Sequence, residues 1–138
     1  MNISPAILTA NATGRCGENL VAYYLERAGI QCTVVDRRGV DLWCRTAAGS
    51  LFQLEVKTAT TSAPRRVGGP GSVYSFEIRT RECDWYAFVA LDTEMLLIKH
   101  IDDIRPYRSQ KIETHYFKPT LMLNSLGRMV RDVDSKAS

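Results

Sequence analysis

The sequence predicts an α/β fold in one domain: a leading helix, a three-strand meander, then further strands completing a mixed sheet. Three observations carry this. Apolar residues recur at helical spacing around residues 20–28, and two strand-like runs meet across a short glycine-bearing loop. Residues 85–91 (Trp-Tyr-Ala-Phe-Val-Ala-Leu) form an unbroken apolar run, as expected of a strand covered on both faces. Pattern alone also admits an α+β arrangement.

The helix is expected over 14–28, where Leu20, Val21, Tyr24, Leu25 and Ala28 share a face and Gly29 is placed to end it. A strand follows at 31–36. The runs 40–46 and 50–58 flank Ala47-Ala48-Gly49, a three-residue connection with glycine where a left-handed residue is needed. Residues 59–72 are a loop by composition, and Tyr74, Phe76 and Ile78 alternate as in a half-buried strand. After the 85–91 strand, Asp92-Thr93-Glu94 turns into a short strand at 95–99. The domain core is expected over about 13–104, followed by a poorly patterned basic extension at 105–138.

A length of 138 residues suits one domain with a core of its own. No apolar stretch approaches the ~18 residues of a membrane span, and Met1–Pro5 lacks the basic region and apolar run of a secretory signal. Cysteines 16, 32, 44 and 83 form no Cys-x-x-Cys pair. They read as small buried hydrophobes in a reducing, cytoplasmic setting, not as a disulfide set or zinc site. The net charge of +3 argues little by itself, but it is uneven. Residues 1–104 hold 11 basic and 12 acidic side chains, whereas 105–138 hold 7 and 3. A basic flank of that kind serves phosphate contact or simple solubility equally well.

The chemistry lies in Gly39-Val40-Asp41-Leu42 and Gln53-Leu54-Glu55-Val56-Lys57. Strand positions two apart share a face, so Glu55 and Lys57 point one way while Leu54 and Val56 point into the core. A loop at 47–49 pairs residues whose numbers sum to 96, setting Leu42 opposite Leu54 and Asp41 opposite Glu55. Two facing carboxylates repel, and a hard divalent cation turns that repulsion into coordination. Lys57 beside them is placed to orient an attacking water or to stabilise charge on a phosphoryl group. A surface ion-pair cluster would use the same residue types. Glu18, with Val21, Ala22 and Leu25 at its i+3, i+4 and i+7 positions, lies on the apolar face of the helix. A carboxylate there needs a partner, either the helix N-terminus or a cation held by the sheet.

Taken together, Gly14-Arg15-Cys16-Gly17-Glu18, Gly39-Val40-Asp41-Leu42 and Leu54-Glu55-Val56-Lys57 resemble the PD-(D/E)xK nuclease superfamily. In layout they are most similar to archaeal-type Holliday junction resolvases and small restriction or homing endonucleases. Val40 stands where the family's name has proline. The resemblance implies a restriction-endonuclease-like mixed sheet flanked by helices and a Mg²⁺-dependent (or Mn²⁺-dependent) DNA endonuclease acting on branched or specific duplex DNA. It assigns catalysis to Asp41, Glu55, Lys57 and Glu18, with the metal on Asp41, Glu55, Glu18 and the Val56 carbonyl. It also implies a homodimer.

Arg37 and Arg38 precede the acidic site, Arg65 and Arg66 lie on the loop after Lys57, and Arg79 and Arg81 follow the next strand. As a set they are expected to contact DNA phosphates. His100 and His115 show no evident partner in sequence, and Tyr107, His115, Tyr116 and Phe117 either pack the tail or stack on bases. Two other readings compete with the nuclease. One is a non-catalytic nucleic-acid-binding or assembly module of the same fold, and the other an unrelated α/β domain with an exposed Glu-Val-Lys strand.

Overall fold

The computed structural model describes residues 9–37 and 39–137. Helix α1 (Ala10–Arg27) starts four residues before the expected position 14, because Thr9 caps it by accepting the Ala12 N–H at 3.1 Å. Gly29 (φ +83°) ends it as expected. Its N–H goes to the Glu26 carbonyl and that of Ile30 to Leu25, both at 3.0 Å, which satisfies carbonyls the helix would otherwise leave open.

Strands β1 (Gln31–Arg37), β2 (Val40–Arg45) and β3 (Leu51–Ala59) form the predicted antiparallel meander. The hairpin register is Leu42 with Leu54, Trp43 with Gln53, Cys44 with Phe52 and Arg45 with Leu51, the pairing that loop length implied. β6 (Trp85–Ala90) lies parallel to β3, and β7 (Met95–His100) closes the five-stranded order β1-β2-β3-β6-β7. The strand predicted around Tyr74 is β5 (Ser72–Glu77), but it belongs to a second, antiparallel sheet. There it pairs with β4 (Ala63–Pro64), inside the predicted loop, and with β8 (Ser109–Glu113).

Residues 105–138 are therefore not a poorly patterned tail. They supply β8 and helix α2 (Pro119–Ala137), whose Met122, Leu126, Met129 and Val133 are buried in the main core. That spacing is helical, and Pro119 at the first helical position costs no hydrogen bond. α1 and α2 cover one face of the large sheet, meeting Leu42, Leu54, Ala87, Val89, Leu96 and Ile98. The small sheet covers the other, meeting Tyr86, Phe88, Ala90 and Leu97 through Tyr74, Phe76 and Ile78. No helix among the described residues is long and apolar enough to cross a membrane.

Polar ties from buried or half-buried residues help hold α2. Ser125 Oγ accepts the N–H of Ile98 on edge strand β7 at 3.1 Å and donates to the Met122 carbonyl at 2.9 Å. Thr46, buried at the hairpin turn, donates to Asp134 Oδ1 at 2.7 Å and accepts the Ser50 N–H at 3.1 Å. Replacing Thr46 by Val keeps its shape but leaves the Ser50 N–H without its acceptor. The expected loss is about 1–3 kcal/mol, measured as a lower denaturant midpoint at unchanged slope.

Candidate active site

The acidic pair forms where the β2–β3 ladder ends. Backbone pairing stops at Leu42–Leu54, and beyond it the Asp41 side chain takes over: its Oδ2 accepts the Val56 N–H at 2.7 Å. Asp41 is thus fixed by β3 while half-buried beside Glu55. Glu55 is directly paired with Tyr86 of β6, and Tyr86 with Lys99 of β7, so these side chains line up across one face of the sheet. That face is covered by the small sheet, which explains why Glu55 is 6% exposed.

Glu55 meets its burial only half-way. Oε1 pairs with Lys57 Nζ at 2.9 Å, whereas Oε2 is buried with no hydrogen-bond donor among the described residues. The Tyr86 hydroxyl lies close enough to lower the Glu55 carboxyl slightly, but its proton is given to the Thr80 carbonyl at 3.2 Å. The net effect raises Glu55 above its ordinary value. Burial is the main cause and the Asp41 charge adds to it, against the opposing pull of Lys57.

The negative field reaches further than the pair. Burial, then the charges of Glu55, Asp41, Asp84 and Glu82, push the Cys83 thiol up to about 12. Burial and then Glu55 push Tyr86 up to about 12 as well. Cys83, Tyr86 and Glu82 escaped sequence reasoning because β6 joins β3 by a long-range parallel pairing that no local pattern specifies.

An orphaned buried carboxylate oxygen beside a second carboxylate is a donor set suited to a hard cation. Two carboxylates plus water and substrate oxygens complete an ordinary Mg²⁺ shell. Among the described residues, however, no three acid, histidine or cysteine side chains converge as metal ligands, so Glu18 is not brought into one group with Asp41 and Glu55. α1 sits on the face bearing Leu54, opposite to Glu55, and Glu18 is half-buried on it. α1 approaches β3 closely at Gly17, where an added Cβ would collide with Thr58 Oγ1 and lie 3.0 Å from Thr58 Cβ. An open groove of about 640 Å³ runs along this junction, lined by Thr13, Gly14, Lys57, Thr58, Thr60 and Ser62 among others.

The arginines are dispersed. Arg65 pairs with Glu113 of β8 at 2.6 Å, and Arg66 is exposed. Arg79 stands 3.6 Å from Glu77, both exposed. Arg81 donates to the carbonyls of Arg105 and Tyr107 at 2.6 and 3.1 Å, tying the β5–β6 segment to the chain before β8. The side chain of Arg37, and all of Arg38, lie outside the described residues. His100 does have partners: it accepts the Asp102 N–H at 3.1 Å and meets the Trp85 ring edge-on at 4.9 Å. His115 lies 3.1 Å from Glu113 and beside Tyr116. Phe117 is buried against Tyr74, whereas Tyr107 and Tyr116 are exposed.

Helix, meander, parallel joint and second helix together make a nuclease-like α/β fold. A solved structure gives that class a concrete member, the bacterial homing endonuclease I-Ssp6803I. It superimposes with a TM-score of 0.58 at 18% identity, over 78% of this chain and 75% of that one. At that identity the likeness is one of fold. No family model matches the chain, and no curated protein does.

Proposed function

We propose that the protein is a metal-dependent DNA endonuclease of the PD-(D/E)xK type, hydrolysing phosphodiester bonds at Asp41, Glu55 and Lys57. The observation that carries this reading is the buried Oε2 of Glu55, without a hydrogen-bond donor among the described residues, beside Asp41. A carboxylate kept in that state costs stability, and a cation-binding role accounts for it. Likeness of fold to a homing endonuclease supports the same reading.

Asp41 and Glu55 would hold Mg²⁺, or Mn²⁺ in its place, with the Val56 carbonyl as the further ligand the sequence resemblance implies; Glu18, carried by α1 on the opposite face of the sheet, stands outside this set. Once bound, the cation supplies Lewis acidity toward a phosphoryl oxygen and lowers the pKa of a coordinated water. The chain's own groups do the rest. The Val56 N–H holds Asp41 in place, and Lys57, whose ammonium pairs with Oε1 of Glu55, is among the residues lining the groove where a phosphate would lie. An acidic cluster repels phosphate, so DNA contact falls to Arg65, Arg66, Arg79 and Arg81, together with Arg37 and Arg38, which precede Asp41 in the sequence. Action as a homodimer on branched or specific duplex DNA belongs to the same proposal.

Purified protein is expected to nick supercoiled or four-way DNA with Mg²⁺ or Mn²⁺, and Asp41→Ala and Glu55→Ala are expected to be inert. Absence of cutting on every substrate with either metal would overturn the proposal. Lys57→Met should cut at least about 10²-fold more slowly yet still bind Mn²⁺ by calorimetry. It should also melt earlier at neutral pH, because Glu55 loses its ion-pair partner. That deficit shrinks on acidification as Glu55 takes up a proton.

One observation favours a second reading, a nucleic-acid-binding module without catalysis. Among the described residues no three-ligand group forms, and Lys57 is engaged by Glu55. Failure to bind Mn²⁺ at millimolar concentration, with DNA binding retained, would select it.

A further inference from the structure

Apart from the acidic site, one cluster of reactive side chains has its own chemistry. Cys32 of β1 and Cys44 of β2 are directly paired across the antiparallel ladder, and the Cys44 thiol donates to Cys32 Sγ at 3.8 Å. Both are free thiols; Cys44 is buried and Cys32 is half-buried. β1 is the outer strand of the large sheet, so Cys32 meets solvent while Cys44 stays behind it.

We propose that Cys32 and Cys44 form a reversible dithiol–disulfide site, with Cys32 the attacking thiol and Cys44 the resolving one, open to oxidation by low-molecular-weight disulfides. Cross-strand registry already sets the backbone spacing. Side-chain rotation alone has to bring the sulfurs roughly 1.8 Å closer to reach bonding length.

The two thiols are unlike in the way this order requires. The Cys44 S–H hydrogen bond draws the Cys32 pKa down, more than burial and the charge of Glu26 push it up. The proton on Cys44 is held tightly, chiefly by that same interaction and then by burial. Cys32 thiolate attacks one sulfur of the small disulfide, and the bond between the reagent's sulfurs breaks to release one reagent thiolate. Capping Cys32 removes the main cause that holds the Cys44 proton. Cys44 then gives that proton to solvent and attacks the Cys32 sulfur, expelling the second reagent thiol. The protein loses two electrons and two protons, and the small disulfide becomes two thiols. The product staples β1 to β2.

The test uses the full chain carrying Cys16→Ser, which removes the exposed thiol, treated with oxidised glutathione. The expected product has lost two hydrogens, maps to a Cys32–Cys44 cross-linked peptide, and reverts with dithiothreitol. Cys44→Ser should accumulate a stable glutathione adduct at Cys32, and Cys32→Ser should leave Cys44 unmodified. If Cys44→Ser does not fold, the parent's time course must still show a transient Cys32 adduct before closure. A lasting Cys32 adduct in the parent, modification that starts at Cys44, or no reaction at either thiol overturns the proposal.

Discussion

Glu55→Gln is expected to lose DNA cleavage by at least about 10³-fold and, in the absence of metal, to be more stable than the parent at neutral pH. The two effects have one origin. Glu55 sits behind the small sheet with Oε2 lacking a donor among the described residues and Asp41 beside it. Folding therefore has to remove a carboxylate from water with only Lys57 in return. Its folded pKa lies above the unfolded value, so the folded state binds the proton more tightly. Stability is then greatest below the ordinary carboxylate range and falls as pH rises through the raised folded value. Glutamine keeps the shape and lacks that slope. A gain in stability near pH 7 is expected, read from melting curves across the acid-to-neutral range. Mg²⁺ should raise the parent's melting temperature and leave the variant's unchanged. A variant less stable than the parent at neutral pH would show that Glu55 is a structural ion pair and not a strained site.

Gly17→Val is expected to be the most damaging change away from the acids, at about 3 kcal/mol or more. A Cβ on Gly17 runs into the Thr58 side chain, so α1 must lift off β3 next to Lys57. Val21 and Leu25, the buried residues on that helix's inner face, would lose packing with it. Thr58 tests the cause directly. Its Oγ1 is buried without a partner among the described residues, so Thr58→Ala gives up little hydrogen bonding. In the Thr58→Ala background the milder Gly17→Ala should recover most of its own loss. A double-mutant cycle with no coupling between the two positions would refute the contact as the cause.

The site was legible in sequence wherever local rules fix it. A three-residue loop bearing Gly49 sets the register that brings Leu42 opposite Leu54, and strand alternation then sends Glu55 and Lys57 to the same side. The α1 C-terminus was readable for a similar reason, since Gly29 supplies the conformation that the cap needs. Long-range pairing was not legible. That β6 runs parallel to β3, setting Tyr86 beside Glu55, depends on burial gained far along the chain. Arg65 read as a loop arginine because Glu113, its partner, lies on a strand that the sequence had left in the tail. α2 was not legible although Met122, Leu126, Met129 and Val133 carry its period, because the exposed Leu121 and Leu123 blur the apolar stripe.

The parallel joint between β3 and β6 also bears on the expected order of assembly. α1, β1, β2 and β3 are contiguous, so the helix and meander close through short loops, whereas β6 arrives only after β4 and β5 have been passed. Short-range contacts form sooner than distant ones. The acidic pair is accordingly expected to come together while still wet, with the later docking of the small sheet covering it. Removing the Glu55 charge should therefore speed that late docking step, and the barrier would register the acid's exclusion from water more strongly than the early collapse does.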